Sequence, residues 1–225
     1  VMTTSDGEVS AADSSVDFDT FDMTAVAGED YVHTSFNRFF PAGTASGTAQ
    51  IIEVNLINDD LDEPDEDFAV ELYNPTGAVV GAQNAHTVTI ADDDPAPELW
   101  AVGIEVEEGA GLAVVTLELS APTSFEVVAN YATVDGTAMA PEDYETVIGP
   151  ATIPPLDTMT TVEIPIVNDW IEESPEFFTL ELSGVVNAVL ATPSVEVTIF
   201  DDDAGILFGD GFESGDTARW SATTP

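Results

Sequence analysis

The sequence predicts an all-β protein made of two tandem immunoglobulin-like antiparallel β-sandwiches, the first of them truncated at its N-terminus. Three observations carry this. Apolar residues recur at every second position in short runs, as in Val162, Ile164 and Ile166 with Thr161, Glu163 and Pro165 between them, which places one face of each run in a core and the other in solvent. Turn-forming residues punctuate the runs, as at Gly109-Ala110-Gly111, Ala121-Pro122-Thr123 and Gly149-Pro150. The chain also repeats itself once, at a period of roughly 110 residues, which indicates tandem domains because solenoid repeats span roughly 20–50.

In chain order, the segment from Val16 to Tyr31 aligns with Ala129 to Tyr144, including the shared endings Glu29-Asp30-Tyr31 and Glu142-Asp143-Tyr144. The acidic stretch Asn58-Asp59-Asp60-Leu61-Asp62-Glu63-Pro64-Asp65-Glu66 aligns with Asn168-Asp169-Trp170-Ile171-Glu172-Glu173-Ser174-Pro175-Glu176, and Asp92-Asp93-Asp94 aligns with Asp201-Asp202-Asp203. Strands follow the acidic stretches: Phe68, Val70 and Leu72 in the first copy, Phe178, Leu180 and Leu182 in the second. Val88 and Ile90 in the first copy match the alternation of Val195, Val197 and Ile199. No stretch has helical periodicity, and about seven short strands in roughly 110 residues suit an immunoglobulin-like sandwich.

The alignment sets Val1 opposite Val114. The first copy therefore lacks a counterpart of Ala101 to Gly109, which reads as a first strand and a turn. The expected domains are 1–94, without its first strand, and 95–204, joined by the short proline-stiffened Pro95-Ala96-Pro97. Residues 205–225 form a tail too short for its own core. The chain starts without an initiator Met, and is expected to be a fragment whose targeting sequence, if any, lies outside it.

Hydrophobic residues make up 44% of the chain, enough for true cores and too many for a disordered chain. The charge is extreme, 44 Asp and Glu against 2 Lys and Arg. Such a surface repels nucleic acid and anionic lipid, so no nucleic-acid partner and no direct membrane insertion are expected, and cations are its natural counterparts. The absence of cysteine excludes disulfides, thiolate metal sites and Cys nucleophiles.

The acidic stretches sit at strand ends. The strands that end before Asp135, before Asp169 and before Asp201 are expected to finish at one pole, which brings three clusters together: Asp135, then Asp169, Glu173 and Glu176, then Asp201, Asp202 and Asp203, with Glu108 as a fourth contribution. The first copy offers Asp22, Asp59, Glu63, Glu66, Asp92, Asp93 and Asp94. One cluster alone would read as solvated turn acids; three, repeated in register twice, read as a cation site. Calcium takes six to eight oxygen ligands and magnesium prefers few carboxylates and several waters, so several calcium ions fit best. The spacing is not that of an EF-hand. Surface adaptation to high salt is a compatible second cause of the charge.

These residues resemble a known pattern. Asp-Gly-Thr-Ala-x-Ala-x-Glu-Asp-Tyr at 135–144, Asn-Asp-x-x-x-Glu-x-x-Glu-x-Phe at 168–178 and Val-Thr-Ile-x-Asp-Asp-Asp at 197–203 resemble the Calx-beta domain, named for regulatory domains of sodium/calcium exchangers and found in cell-surface adhesion proteins and secreted bacterial proteins. The resemblance implies calcium bound at the distal loops by Glu108, Asp135, Asp169, the Ile171 carbonyl, Glu173, Glu176, Asp201, Asp202 and Asp203. In the first copy it implies Asp22, Asp59, the Leu61 carbonyl, Glu63, Glu66, Asp92, Asp93 and Asp94. There are departures: Asn58 and Asn168 stand where strong binders have Asp, Met23 replaces the turn glycine, and the first copy lacks a counterpart of Glu108. Its site is therefore expected to be the weaker. The tail, with Phe208, Asp210 to Gly215, Trp220 and Ser221, resembles an ending of secreted bacterial proteins.

The expected function is thus a non-enzymatic, calcium-rigidified structural or adhesion module of a secreted or cell-surface bacterial protein, with calcium and a protein or glycan at the cell surface as partners. The alternatives are a regulatory calcium sensor of a larger transporter or enzyme, a carbohydrate- or adhesion-binding module, and a halophilic surface with vestigial sites. His33 and His86 have no nucleophile around them and read as structural. Trp170 is expected to pack at the sandwich rim, and Trp100, Trp170 and Trp220 could stack on sugars.

Overall fold

The computed structural model describes residue 3 and residues 9–203; the sequence-predicted tail at 205–225 lies outside the described residues. The first repeat forms one antiparallel sheet from β1 (Ser14–Asp22), β2 (Ser35–Phe40), β3 (Glu66–Thr76) and β4 (Ala85–Ile90), in the order β2-β1-β3-β4. The second repeat is a two-layer sandwich of β5 (Glu98–Ala101), β6 (Ile104–Glu107), β7 (Leu112–Leu119), β8 (Val127–Asp135), β9 (Ile148–Ile153), β10 (Met159–Pro165), β11 (Glu176–Val186), β12 (Val189–Leu190) and β13 (Ser194–Phe200). One sheet runs β10-β7-β5-β12 and the other β6-β13-β11-β8-β9. The all-β class and the tandem arrangement are as the alternation and the repeat predict, with both layers of the sandwich formed as strand ladders in the second repeat among the described residues.

The period-two residues behave as that pattern requires. Val162, Ile164 and Ile166 are buried on one sheet, and Phe178, Leu180, Leu182, Val195, Val197 and Ile199 are buried on the other. They meet Val115, Leu117 and Leu99 in a single core. Each fully buried side chain of this size contributes about 1.5–3 kcal/mol. Tyr144 stacks on Phe178 at 4.0 Å between ring centroids, and Tyr31 stacks on Phe68 at 4.3 Å, so the repeat extends to its aromatic packing.

The predicted first strand of the second repeat is divided between the sheets. β5 pairs with β7 in one layer, and β6 pairs in parallel with β13 in the other. The crossing occurs at Gly103, where an added Cβ would lie 2.7 Å from the Glu196 carbonyl oxygen. The strand can change layers only where the backbones approach this closely. The division and the two-residue β12, which pairs in parallel with β5, bring the second repeat from the expected seven strands to nine.

The first repeat is less complete. Its buried core consists of Ala25, Tyr31 and Phe68 with half-buried Val54, Val70, Val88 and Ile90 around it. Residues 49–55 align with β10 but form no strand ladder among the described residues; Leu56, which follows them, makes an isolated bridge to Tyr31 as Ile166 does to Tyr144. They are held from one side by Arg38, whose Nη2 donates to the Ile51 carbonyl at 3.0 Å, and by the Val32 amide, which donates to the Asn55 carbonyl at 2.8 Å. Arg38 also lies over the buried Phe18 ring, 5.3 Å from its centroid.

The repeats touch through the first acidic stretch. The Thr123 hydroxyl donates to the Asp62 carbonyl at 3.0 Å and to Asp62 Oδ2 at 2.8 Å, and the Ser124 amide donates to the same carbonyl at 3.0 Å. Thr123 is buried.

Candidate metal centre

In the second repeat the 3₁₀ turn Glu108–Ala110 follows β6 and delivers Glu108 to the pole where β10 and β13 end. Glu108 is buried, and its Oε1 accepts the Asp169 amide at 2.6 Å. Asp169 Oδ1 in turn accepts the Ile171 amide at 2.6 Å, closing the acidic loop on itself. Asp201 links the loop to the end of β13: its Oδ2 accepts the Glu173 amide at 2.9 Å and its Oδ1 accepts the Asp203 amide at 2.8 Å. A side chain at Gly109 would run into the Asp202 carboxylate, so glycine there leaves Asp202 room to fold inward.

Two triads result. Glu108, Asp201 and Asp202 each offer an oxygen within 4.8 Å of the others, and so do Asp143, Glu173 and Glu176. Both triads contribute to one cavity of about 10 Å³, lined by Glu108, Asp143, Glu173, Glu176 and Asp201, which is about the space of a single water-sized sphere. In the first repeat the matching triad is Asp30, Glu63 and Glu66. It opens into a larger cavity of about 230 Å³ that also reaches Asp59, Leu61, Asp92, Asp93 and Asp94.

The electrostatics show crowding without a counter-charge. Burial, and then the charges of neighbouring acids, push the carboxyl groups of Glu108, Glu173 and Glu176 above their ordinary values. Asp203 is pushed up in the same way, and its buried Oδ2 has no hydrogen-bond donor among the described residues. In the first repeat, burial and a hydrogen bond with Asp30 raise Glu66 to about 7, and Glu63 and Asp94 also rise. An orphaned buried carboxylate oxygen beside oxygen-only triads fits a hard cation, which takes carboxylate and carbonyl oxygens.

Of the sequence-predicted residues, Glu108, Glu173, Glu176, Asp201 and Asp202 are gathered into triads, while Asp169 and Asp203 lie beside them through the hydrogen bonds above. Glu63 and Glu66 enter the first triad, and Asp59, Leu61, Asp92, Asp93 and Asp94 line its cavity. Asp135 and Asp22 belong to no triad. Asp135 Oδ1 accepts the Tyr144 hydroxyl at 2.6 Å and the Ala140 amide at 3.1 Å. Asp22 Oδ1 accepts the Tyr31 hydroxyl at 2.6 Å and the Ala27 amide at 2.9 Å. These bonds, the tyrosine's foremost, hold both carboxyls below the usual range.

Sequence reasoning missed Asp143 and Asp30. Both sit in the repeated Glu-Asp-Tyr, immediately before the tyrosine that anchors the loop, and that duplication was the available signal. Asp143 Oδ2 accepts the Met139 amide at 2.6 Å, as Asp30 Oδ2 accepts that of Val26. Trp170 corrects an expectation: it does not pack at the rim and is 92% exposed. The Asp169–Ile171 hydrogen bond makes a tight turn with Trp170 at its tip, aimed away from the core.

Residues 2–94 and 101–203 each match the Calx-beta domain. The chain is 31% identical over 194 residues to sodium/calcium exchanger 1 of Bos taurus, covering 74% of this chain and 19% of that protein. It is 30% identical over 177 residues to adhesion G-protein coupled receptor V1 of Danio rerio, covering 73% of this chain and 3% of that protein. The chain thus spans about a fifth or less of the length of these two relatives. Among solved structures, it is similar to the apo-form Calx CBD1 domain, at 27% identity and a TM-score of 0.46 over 48% of this chain and 100% of that one. It is also similar to CBD12 from CALX1.2, at 21% identity and a TM-score of 0.43 over 84% of this chain and 88% of that one.

Proposed function

The chain belongs to the Calx-beta domain family, and from that membership we propose that it is a non-enzymatic, calcium-binding and calcium-rigidified structural or adhesion module of a secreted or cell-surface bacterial protein. The observation that carries the calcium reading is the pair of carboxylate triads on one cavity, with Glu108, Glu173 and Glu176 all shifted toward the protonated form by burial and mutual repulsion. Glu108, Asp201 and Asp202 would hold one ion, and Asp143, Glu173 and Glu176 a second. Asp169, Asp203 and the Ile171 carbonyl would complete the shells. Asp30, Glu63 and Glu66, with Asp59, the Leu61 carbonyl and Asp92 to Asp94, would serve the first repeat more loosely. Bound calcium would supply the positive charge that these carboxylates lack.

The chain's own residues would turn this charge into stiffness. Asp169 and Asp201 already pin the acidic loop by their amide hydrogen bonds. In the first repeat, the same loop carries Asp62, which is bonded to Thr123 and Ser124 of the second repeat. Fixing that loop would fix the joint between repeats, beside the short Pro95-Ala96-Pro97 connection. A glycan or protein at the cell surface would be the partner of such a stiffened rod, and the resemblance of the tail to secreted bacterial proteins supports the location.

Isothermal titration of the intact chain with calcium, with magnesium as control, tests the reading. Saturable calcium binding that stabilises the fold, weak magnesium binding, and loss of most of the effect in Glu173→Ala and Asp202→Ala are expected. Absence of saturable binding at millimolar calcium would leave only a salt-adapted acidic surface. The second reading, a regulatory sensor within a larger protein, is favoured by the likeness to sodium/calcium exchangers; an affinity tuned to the micromolar range typical of sensors would support it.

A further inference from the structure

One turn is built twice with different residues. In the second repeat, Pro154-Pro155-Leu156-Asp157 connects β9 to β10, and the Asp157 amide donates to the Pro154 carbonyl at 3.1 Å. In the first repeat, Pro41-Ala42-Gly43-Thr44 makes the same turn, with the Thr44 amide on the Pro41 carbonyl at 3.1 Å. The third residue of each has a positive φ, 88° at Gly43 and 69° at Leu156. This is the type II position that favours glycine. A leucine there is strained, because its Cβ crowds the following carbonyl. Packing within its own repeat does not offset that strain. A Cβ added at Gly43 meets no atom within 4 Å, and Leu156 is 63% exposed.

The position of Leu156 supplies a reason for it. Its amide donates to the Thr123 carbonyl at 2.9 Å, and the Thr123 hydroxyl donates to Asp62 of the first repeat. The Gly43 amide donates to the Ser10 carbonyl in the same way, but the Ser10 hydroxyl donates to Pro41 of its own repeat. The turn that carries leucine in place of glycine is therefore the one beside the joint. The first repeat changes on its own side of the joint as well. Pro64, exposed and two residues after Asp62, stands where the second repeat has Ser174.

We propose that Leu156 and Pro64 form an apolar latch across the joint, closed by rotation of the two repeats about the Asp62–Thr123 bonds. The two residues flank these bonds, one on each repeat, so the latch is continuous with the contact already formed there. An apolar contact holds without charge, in a chain whose 44 acidic residues against 2 basic ones make its repeats repel each other. Strained residues persist where they serve a function, and Pro155, with its fixed φ, keeps the turn in shape around Leu156. Metal binding is not needed for this contact.

The test uses the intact chain, which has no cysteine of its own. With Leu156→Cys and Pro64→Cys together, mild oxidation should form a disulfide within one chain, which requires the two Cβ atoms to come within about 4.5 Å. It should form at least about tenfold faster than in the control pair Leu156→Cys and Ser174→Cys, because closure raises the effective concentration of one thiol at the other. Leu156→Gly gives the turn the first repeat's residue and relieves its strain, so the second repeat should keep its fold while the small-angle scattering distribution broadens. Pro64→Ser should broaden it too, and the double variant no further than either alone. Equal oxidation rates for the two cysteine pairs, or an unchanged distribution in Leu156→Gly, would overturn the proposal. So would a disulfide formed between chains, which would make Leu156 a contact for a second copy.

Discussion

The Tyr144 hydroxyl donates to Asp135 Oδ1 at 2.6 Å, and Tyr31 makes the same bond to Asp22 at the same distance. Each tyrosine ring is buried against a phenylalanine, Phe178 or Phe68, so the bond ties an acidic loop to the core. The neighbouring residue in sequence, Asp143 or Asp30, is thereby aimed at the carboxylate triad. Tyr144→Phe and Asp135→Asn should each weaken calcium binding in the second repeat, by about tenfold for the latter, without abolishing it. Calorimetric titration of the two variants checks this; loss of all binding in Asp135→Asn would instead make Asp135 a direct ligand.

The raised carboxyl groups give a pH dependence with a defined sign. Glu66 sits at about 7 against an ordinary 4.5, so between these values the folded chain holds a proton that the unfolded chain has lost. Its contribution to stability is complete below the unfolded value and is lost as pH rises through about 7. Glu63, Glu108, Glu173 and Glu176 shift in the same direction. Without metal, the protein should therefore melt at a lower temperature at about pH 8 than at about pH 5.5. Asp22 and Asp135, whose values are lowered, oppose this only at the acid end, where their stabilisation disappears as pH falls through their folded values. Calcium should flatten or reverse the trend, and binding in the first repeat should weaken as pH falls below about 7 because Glu66 takes up a proton. Melting curves across pH with calcium or chelator test both statements.

The two cores should respond unequally to the same substitution. Phe178 is fully enclosed by both sheets, so Phe178→Ala should cost about 3–5 kcal/mol. Phe68 is equally buried, but it borders a groove and half-buried Val70 and Val88, so water can enter the space left by Phe68→Ala and its cost should be smaller. Scanning calorimetry should resolve the first repeat as the lower-melting transition.

The joint between repeats includes a neutral hydroxyl. Thr123→Val keeps the shape of this buried residue and removes the donor to Asp62. It should cost about 1 kcal/mol and increase interdomain motion, visible as a broader small-angle scattering distribution. An unchanged distribution would show that the joint holds without the Thr123 hydroxyl, through the Ser124 bonds to the Asp62 carbonyl and the proline connection.

Strand positions, the repeat and the carboxylate clusters at strand ends were legible along the chain because each is a local pattern. The burial of Val162, Ile164, Phe178, Leu180 and Val197 follows from a two-residue period that needs no knowledge of partners. The aim of a loop carboxylate does not. Asp135 and Asp143 are eight positions apart in one loop, and only the hydrogen bond from Tyr144, itself fixed by packing on Phe178, decides that the first anchors and the second joins Glu173 and Glu176. Likewise the sequence contains Ile52, Val54 and Leu56 with the alternation of a buried strand, yet their exposure depends on whether another strand lies beside them. The sequence by itself determined which segments are strands and where negative charge accumulates. Tertiary structure decided which acids meet and that Trp170 faces solvent, because each of these depends on contacts between residues apart in the chain.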